Sequence, residues 1–129
     1  MDITERIAQF ENMAQADPEN EMAHYSLAGA YAQADRHEDA AACYRRAIQL
    51  VPDFSKAYQL AAESLITLDR TDEAAELLTR GYEVAAKNGD VMPKNAMADL
   101  LAELGKPLPE VDAKDLPDIP EGSFICHKS

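Results

Sequence analysis

The sequence predicts an all-α protein of about six antiparallel helices followed by an irregular C-terminal tail, and three observations carry that expectation. First, residues 22–51 and 56–85 repeat each other at a spacing of 34, a period that suits a helical hairpin stacked on its neighbour. Overlaid, the two stretches pair His24 with Tyr58, Ala28 with Ala62, Tyr31 with Leu65, Asp35 with Asp69, Ala40 with Ala74, Tyr44 with Leu78 and Ala47 with Gly81. Large residues meet large and small meet small, so the period reflects recurring packing. Second, apolar residues recur at helical spacing in each segment, with proline or glycine between segments. Third, Pro107, Pro109, Pro117 and Pro120 interrupt every possible helix after Gly105.

Each element follows from local residues. From Asp2 to Ala16, Ile3, Ile7, Phe10 and Met13 or Ala14 share one face, and Asp17-Pro18 ends the helix. Glu21 to Ala34 is the next, with Leu27, Ala28 and Tyr31 as its buried stripe. Asp35 to His37 form a turn in which Asp35 tolerates a left-handed conformation. Glu38 to Leu50 returns antiparallel, burying Ala40, Tyr44, Ala47 and Ile48, and stops at Val51-Pro52-Asp53. The second hairpin starts near Ser55, read as its N-cap, and carries Tyr58, Ala61, Ala62 and Leu65 to a turn at Asp69-Arg70. Thr71 is read as the cap of the returning helix, Asp72 to about Lys87, with Ala74, Leu77, Leu78, Gly81 and Val84 inside. Asn88-Gly89 supplies its left-handed stop. A sixth helix follows Pro93, with Met97, Leu100, Leu101 and Leu104 on its apolar face and Gly105 beyond its end.

This gives a helical domain over residues 1–105, with units at about 21–54 and 55–88 between flanking helices at about 2–16 and 93–104. Residues 106–129 read as an extended or disordered acidic tail, with Leu108, Val111, Leu116, Ile119 and Phe124 as scattered anchors. At 129 residues and 47% hydrophobic content the chain has material for one core. No apolar run reaches the roughly 18 residues of a membrane helix, and Met1 to Glu5 lack the order of a signal peptide, so a cytoplasmic protein is expected. A formal charge of −12 argues against nucleic acid, since a polyanion would be repelled over most of the surface. Cys43 inside a helix and Cys126 in the tail read as thiols rather than a disulfide.

These positions resemble the tetratricopeptide repeat, whose unit places a bulky residue at position four, small ones at eight and twenty, and proline at thirty-two. Ala28 and Ala40, then Ala62 and Ala74, fill the small positions. Two helix axes approach within roughly 8–10 Å only where the crossing side chains are small. Departures are His24 or Tyr58 for the fourth-position tryptophan, Asp35 or Asp69 for the turn glycine, and Ala86 where proline is expected. Phe10 and Pro18 precede Tyr44 and Pro52 by 34, so the first helix reads as the second half of an incomplete unit. The helix from Pro93 reads as a cap, with more apolar residues than an outer lid needs. The resemblance implies a right-handed α-α superhelix.

It also implies a partner site on the first helix of each unit. Carried over, the groove residues are Met22, Tyr25, Gly29, Ala32 and Gln33, then Lys56, Gln59, Glu63, Ile66 and Thr67. Lys56 and Glu63 are the only formal charges among them, so the groove suits an apolar or amide-rich segment. Members that clamp a C-terminal carboxylate of chaperones need lysine and asparagine where this chain has Tyr25, Gly29 and Leu60, so that job is not expected. No catalytic, cofactor or metal set emerges: His24, His37 and His127 share no face, and no nucleophile elbow or phosphate loop is present. The expected role is an adaptor binding a peptide or helix of a partner protein. Two alternatives stand beside it: a tail (Cys126, His127) that handles metal or opens a missing second module, and a scaffold that self-associates through its last helix or tail.

Overall fold

The computed structural model describes residues 2–109, which form six helices: α1 (Ile3–Ala16), α2 (Glu21–Gln33), α3 (His37–Leu50), α4 (Ser55–Thr67), α5 (Thr71–Asn88) and α6 (Val91–Glu103). Each helix packs on the next in chain order, and α6 packs on α5 while also touching α4. The described residues are therefore all-α and repetitive, as the 34-residue period requires.

Small residues sit where the axes cross. Ala28, Ala40, Ala47, Ala62 and Ala74 are each 0% exposed, and Gly81 is buried. Tyr31, Tyr44, Leu65 and Leu78 are buried around them. At Gly81 the crossing has no room for a side chain, because a Cβ built there would lie 2.5 Å from Tyr58 Cβ and 2.6 Å from Met97 Sδ.

The departures from the repeat pattern have physical reasons. His24 Nε2 lies 2.8 Å from the Pro18 carbonyl oxygen, and the Tyr58 hydroxyl donates to the Pro52 carbonyl at 2.8 Å. Two different side chains, 34 residues apart, thus hold two proline carbonyls 34 residues apart. Asp35 and Asp69 both adopt φ 63°, the left-handed conformation a turn glycine would supply. With Ala86 in place of proline nothing halts α5 early, and it runs 18 residues until Gly89 (φ 78°) ends it.

Helix starts differ from the sequence expectation. Ser55 and Thr71 do not cap; each is the first residue of its helix, and the preceding Phe54 and Arg70 make no side-chain cap bond. Ser55 is buried, and its hydroxyl donates instead to Asp90 Oδ2 at 2.6 Å, tying the start of α4 to the start of α6. Asn88 Nδ2 donates to the Asp53 carbonyl at 2.9 Å beside it. Side-chain caps occur where they were not anticipated, from Asp2 to the Glu5 amide and from Asn20 to the Met22 and Ala23 amides. The sixth helix begins at Val91, two residues before Pro93, so the proline lies inside the first turn, where its missing N–H costs nothing.

At the ends, α1 buries Ile7 and Ala14 against α2, whereas Met13 stays 49% exposed, so Ala14 is the inward residue of that pair. Arg6 donates to Gln33 Oε1 at 2.7 Å, and the Tyr31 hydroxyl donates to Glu11 Oε2 at 2.6 Å. In α6, Met97 and Leu101 are 0% exposed, and Leu100 and Leu104 pack half-buried against the same core. The four residues read as the apolar face of this helix are thereby turned inward, whereas Val91 and Met92 at its start are exposed.

Candidate functional site

Three helices occupy equivalent positions in the repeat and define the candidate face. Their first residues are Glu21, Ser55 and Val91, and their left-handed turn residues are Asp35, Asp69 and Gly105, so α6 follows the same frame at a spacing of 36 rather than 34. In that frame Met22, Lys56 and Met92 correspond, as do Tyr25, Gln59 and Asn95, and Gly29, Glu63 and Asp99. Met92 is 83% exposed, and Asn95, Asp99 and Glu103 are exposed as well. Sequence reasoning assigned only two helices to this face. The two extra residues between the starts of α4 and α6 hid the third, although the Leu-Gly-Lys turn at 104–106 repeats Leu-Asp-Arg at 68–70 and offered the signal.

The anticipated residues fall into three groups. Tyr25 is half-buried and lies between two aromatic rings, with centroids 5.7 Å from Tyr44 in an edge-to-face arrangement and 4.7 Å from Phe54. Gly29 adjoins them, and a Cβ there would meet only the Tyr44 hydroxyl, at 3.9 Å. Met22, 49% exposed, stands at the same helix's N-terminal end. Tyr44 is a core residue in the sequence reading and Phe54 has no assigned role there, yet both rings contact Tyr25. Burial pushes the Tyr25 hydroxyl above its ordinary range. Burial first, then the negative potential of its neighbours Tyr25, Glu63 and Cys43, pushes Tyr44 up to about 12.

The second group is a row along α4. Lys56 Nζ donates to Gln59 Oε1 at 3.3 Å, Gln59 Nε2 donates to Glu63 Oε2 at 2.9 Å, and the Thr67 hydroxyl donates back to the Glu63 carbonyl at 3.0 Å. Gln59 is only 7% exposed, so it orients Lys56 and Glu63 more than it offers a surface. The third group turns elsewhere. Gln33 is held by Arg6 of α1, and Ile66 packs half-buried against the core, as does Ala32.

One set of side chains has the order of a hydrolytic relay. His37 lies between Asp35, whose Oδ1 is 2.9 Å from Nε2, and Ser64, whose Oγ is 3.4 Å from Nδ1. Ser64 is 3% exposed and sits within α4, where the helix claims the amides that an oxyanion would need. The row therefore fastens the α3 start to α4. Cys43 is likewise ill-suited to attack: burial, then the charges of Asp39 and Glu11, push its thiol up to about 11. Among the described residues no three His, Cys, Asp or Glu side chains converge to hold a metal, and no helix is long and apolar enough to cross a membrane. Cys126 and His127 lie outside the described residues.

Comparison with known proteins agrees with this architecture. Over 140 aligned positions the chain is 24% identical to "Protein STIP1 homolog" of Dictyostelium discoideum, with 97% of this chain and 25% of that protein covered. It thus spans about a quarter of that relative's length. Residues 2–81 match the family described as "Anaphase-promoting complex, cyclosome, subunit 3", a range running from α1 into α5 and containing the crossing alanines. The repeated hairpins, their buried small residues and this match make the chain a member of that family of tetratricopeptide-type repeats.

Proposed function

We propose that the face formed by α2, α4 and α6 binds a short peptide or helix of a partner protein, so that the chain acts as an adaptor. The observation that carries this reading is the aromatic floor of Tyr25, Tyr44 and Phe54 beside the unobstructed Gly29. The rings are fixed by contact with each other, so little ordering entropy is lost when a guest arrives. Gly29 lets a partner's backbone or side chain come close to the helix. Lys56 and Glu63, pre-set by Gln59, supply one cation and one anion to fix its direction.

The third helix refines the chemistry of the guest. Asp99 and Glu103 add acid at one end, whereas Met22 and the rings make the other end apolar. A segment with an apolar anchor followed by amide or basic groups fits that gradient. A lone C-terminal carboxylate does not, because Tyr25, Gly29 and Leu60 offer it no cation and would leave it unpaired. The test is affinity capture from a native lysate with the intact chain and with Gly29→Gln. This substitution fills the approach without entering the core, and it favours the helix. Partners bound to this face are expected to be lost from the variant. Recovery of the same partners in the same amounts removes the face from consideration.

A further inference from the structure

The turn after α6 closes as the turns after α2 and α4 do. Arg36, Arg70 and Lys106 donate their amides to the carbonyls of Tyr31, Leu65 and Leu101 at 2.8, 2.8 and 2.9 Å, and each turn passes through a left-handed residue, Asp35, Asp69 or Gly105. After the first two turns α3 and α5 begin at once, and Ala28 and Ala62 beneath them are 0% exposed. After the third, residues 107–109 are not helical, and Ala98, the third alanine of the same frame, stays half-buried. A groove of about 520 Å³ lies there between residues 106–109 and α5, lined by Ala75 and Thr79 and by Leu108, which is 50% exposed.

The two filled seats show what a third occupant must bring. Each return helix sets small residues at its crossings and a bulky one between them: Ala40, Tyr44 and Ala47 in α3, then Ala74, Leu78 and Gly81 in α5, all buried. Larger residues at the crossings would hold the axes apart. Continued from Lys106 in the register of α5, the chain's own sequence offers Glu110, Lys114 and Pro117 at those three positions. A second copy's α1 offers Arg6, Phe10 and Met13. Neither meets the requirement, so the fitting occupant is a helix of another protein.

Charge adds a second requirement. Successive return helices are bridged where Arg45 of α3 donates at 3.2 Å to Glu73 of α5, the residue just before Ala74. One repeat on, Thr79 holds the place of Arg45 and Arg80 adjoins it, and both line the groove. An acid just before the guest's first small residue would come beside Arg80, and it suits the start of a helix. Asp72 and Glu76 line the groove as well, so a guest acidic along its whole length is repelled.

We infer that α5, α6 and residues 106–109 form a docking seat for one amphipathic helix of a partner protein, carrying the frame acid-small-x-x-x-bulky-x-x-small and few further acids. The seat engages Ala98 of α6 rather than Met92 or Asp99, and the inference does not rest on the α2, α4 and α6 reading. The test titrates the full chain with a peptide of about 18 residues, long enough to hold a helix alone, bearing Glu-Ala-x-x-x-Leu-x-x-Ala in a host of alanine, lysine and glutamine. Amide NMR is expected to show shifts concentrated at Ala75, Thr79, Arg80, Ala98 and Leu108. Binding is expected to weaken about tenfold or more when both frame alanines of the peptide become leucine, and equally in an Ala98→Leu chain whose helix content circular dichroism finds unchanged. Gly29→Gln is expected to leave it unaltered, which separates this seat from the other face. Four results overturn the inference: no shift at those residues, equal binding of the leucine peptide, amides of residues 110–129 moving together with the seat, which would assign it to the chain's own continuation, or seat amides that move with protein concentration before peptide is added, which would assign it to a second copy.

Discussion

Replacing Gly81 by alanine probes the crossing of α4 and α5 with a single methyl group. The added Cβ would lie 2.5 Å from Tyr58 Cβ, 2.6 Å from Met97 Sδ and 3.0 Å from Tyr58 Cγ. Carbon atoms are comfortable at roughly 3.5–4.0 Å, so the overlap is about 1 Å. Met97 has free torsions with which to retreat, but Tyr58 Cβ is fixed to the α4 backbone, and its hydroxyl is held by the Pro52 carbonyl. The helices themselves must therefore separate. Overpacking of this kind costs about 3 kcal/mol at the upper end of its usual range, and alanine's better helix propensity returns about 1 kcal/mol. A net loss of about 2 kcal/mol lowers Tm by about 8 °C at roughly 4 °C per kcal/mol for this size. Gly29→Ala is the matched control. Its Cβ meets only the Tyr44 hydroxyl at 3.9 Å, so propensity alone acts and Tm rises by about 4 °C. Thermal unfolding followed by helical circular dichroism measures both. If Gly81→Ala melts at or above the parent temperature, the close crossing is wrong.

Asp69→Gly relieves a left-handed residue at φ 63°. It is expected to stabilise by about 0.5 kcal/mol, after glycine's own entropy cost; a lowered urea midpoint would contradict the turn. Tyr58→Phe leaves the Pro52 carbonyl without its donor and is expected to cost about 1 kcal/mol, read from the same denaturation curves. Cys43, with its thiol pushed up to about 11 from 9.0, is expected to alkylate about 100-fold more slowly at pH 8 in the folded chain than in denaturant. Tyr31 and Tyr44 are both pushed up to about 12 from 10.0, so the folded state keeps protons that the unfolded chain releases. Their stabilising contribution is whole below about pH 10 and is lost as pH climbs toward 12; a stability rising across that window would refute the assignment.

Much of this fold is legible from size alone. Ala28 with Ala62, Ala40 with Ala74 and Ala47 with Gly81 can be paired on paper, and each lies buried at a crossing. Asp35 and Asp69 as left-handed turn residues follow from the same pairing. What resisted reading is what depends on distant partners. Ser55 has the composition of a cap, but Asp90, 35 residues away, takes its hydroxyl. Local chemistry cannot announce such a contact. The third helix of the candidate face was obscured for a related reason: Ala86 lets α5 run on, which shifts the frame by two residues and breaks a strict 34-residue overlay.

The candidate face was legible as a set of positions and not as surroundings. Met22, Lys56 and Glu63 are exposed and Tyr25 and Gly29 half-buried, but Gln59 is nearly enclosed and Gln33 is engaged by Arg6. The hydrogen bond to Arg6 joins two long polar side chains across α1 and α2, which a repeating pattern of residue sizes does not encode. Phe54 precedes α4 and belongs to no apolar stripe, so its contact with Tyr25 appears only once the chain has turned. An alanine at Tyr25 or Gln59 would consequently perturb packing along with recognition, whereas Gly29→Gln acts from outside the core.

The most direct measurement is a hydrogen-exchange footprint of the complex between the intact chain and a partner it captures. Recognition through the α2, α4 and α6 face predicts slowed exchange in the turns of those helices that bear Met22, Gly29, Glu63 and Asp99, with the sides of α3 and α5 away from that face unchanged. Slowing confined to α3 and α5, or to residues after Pro109, would contradict it.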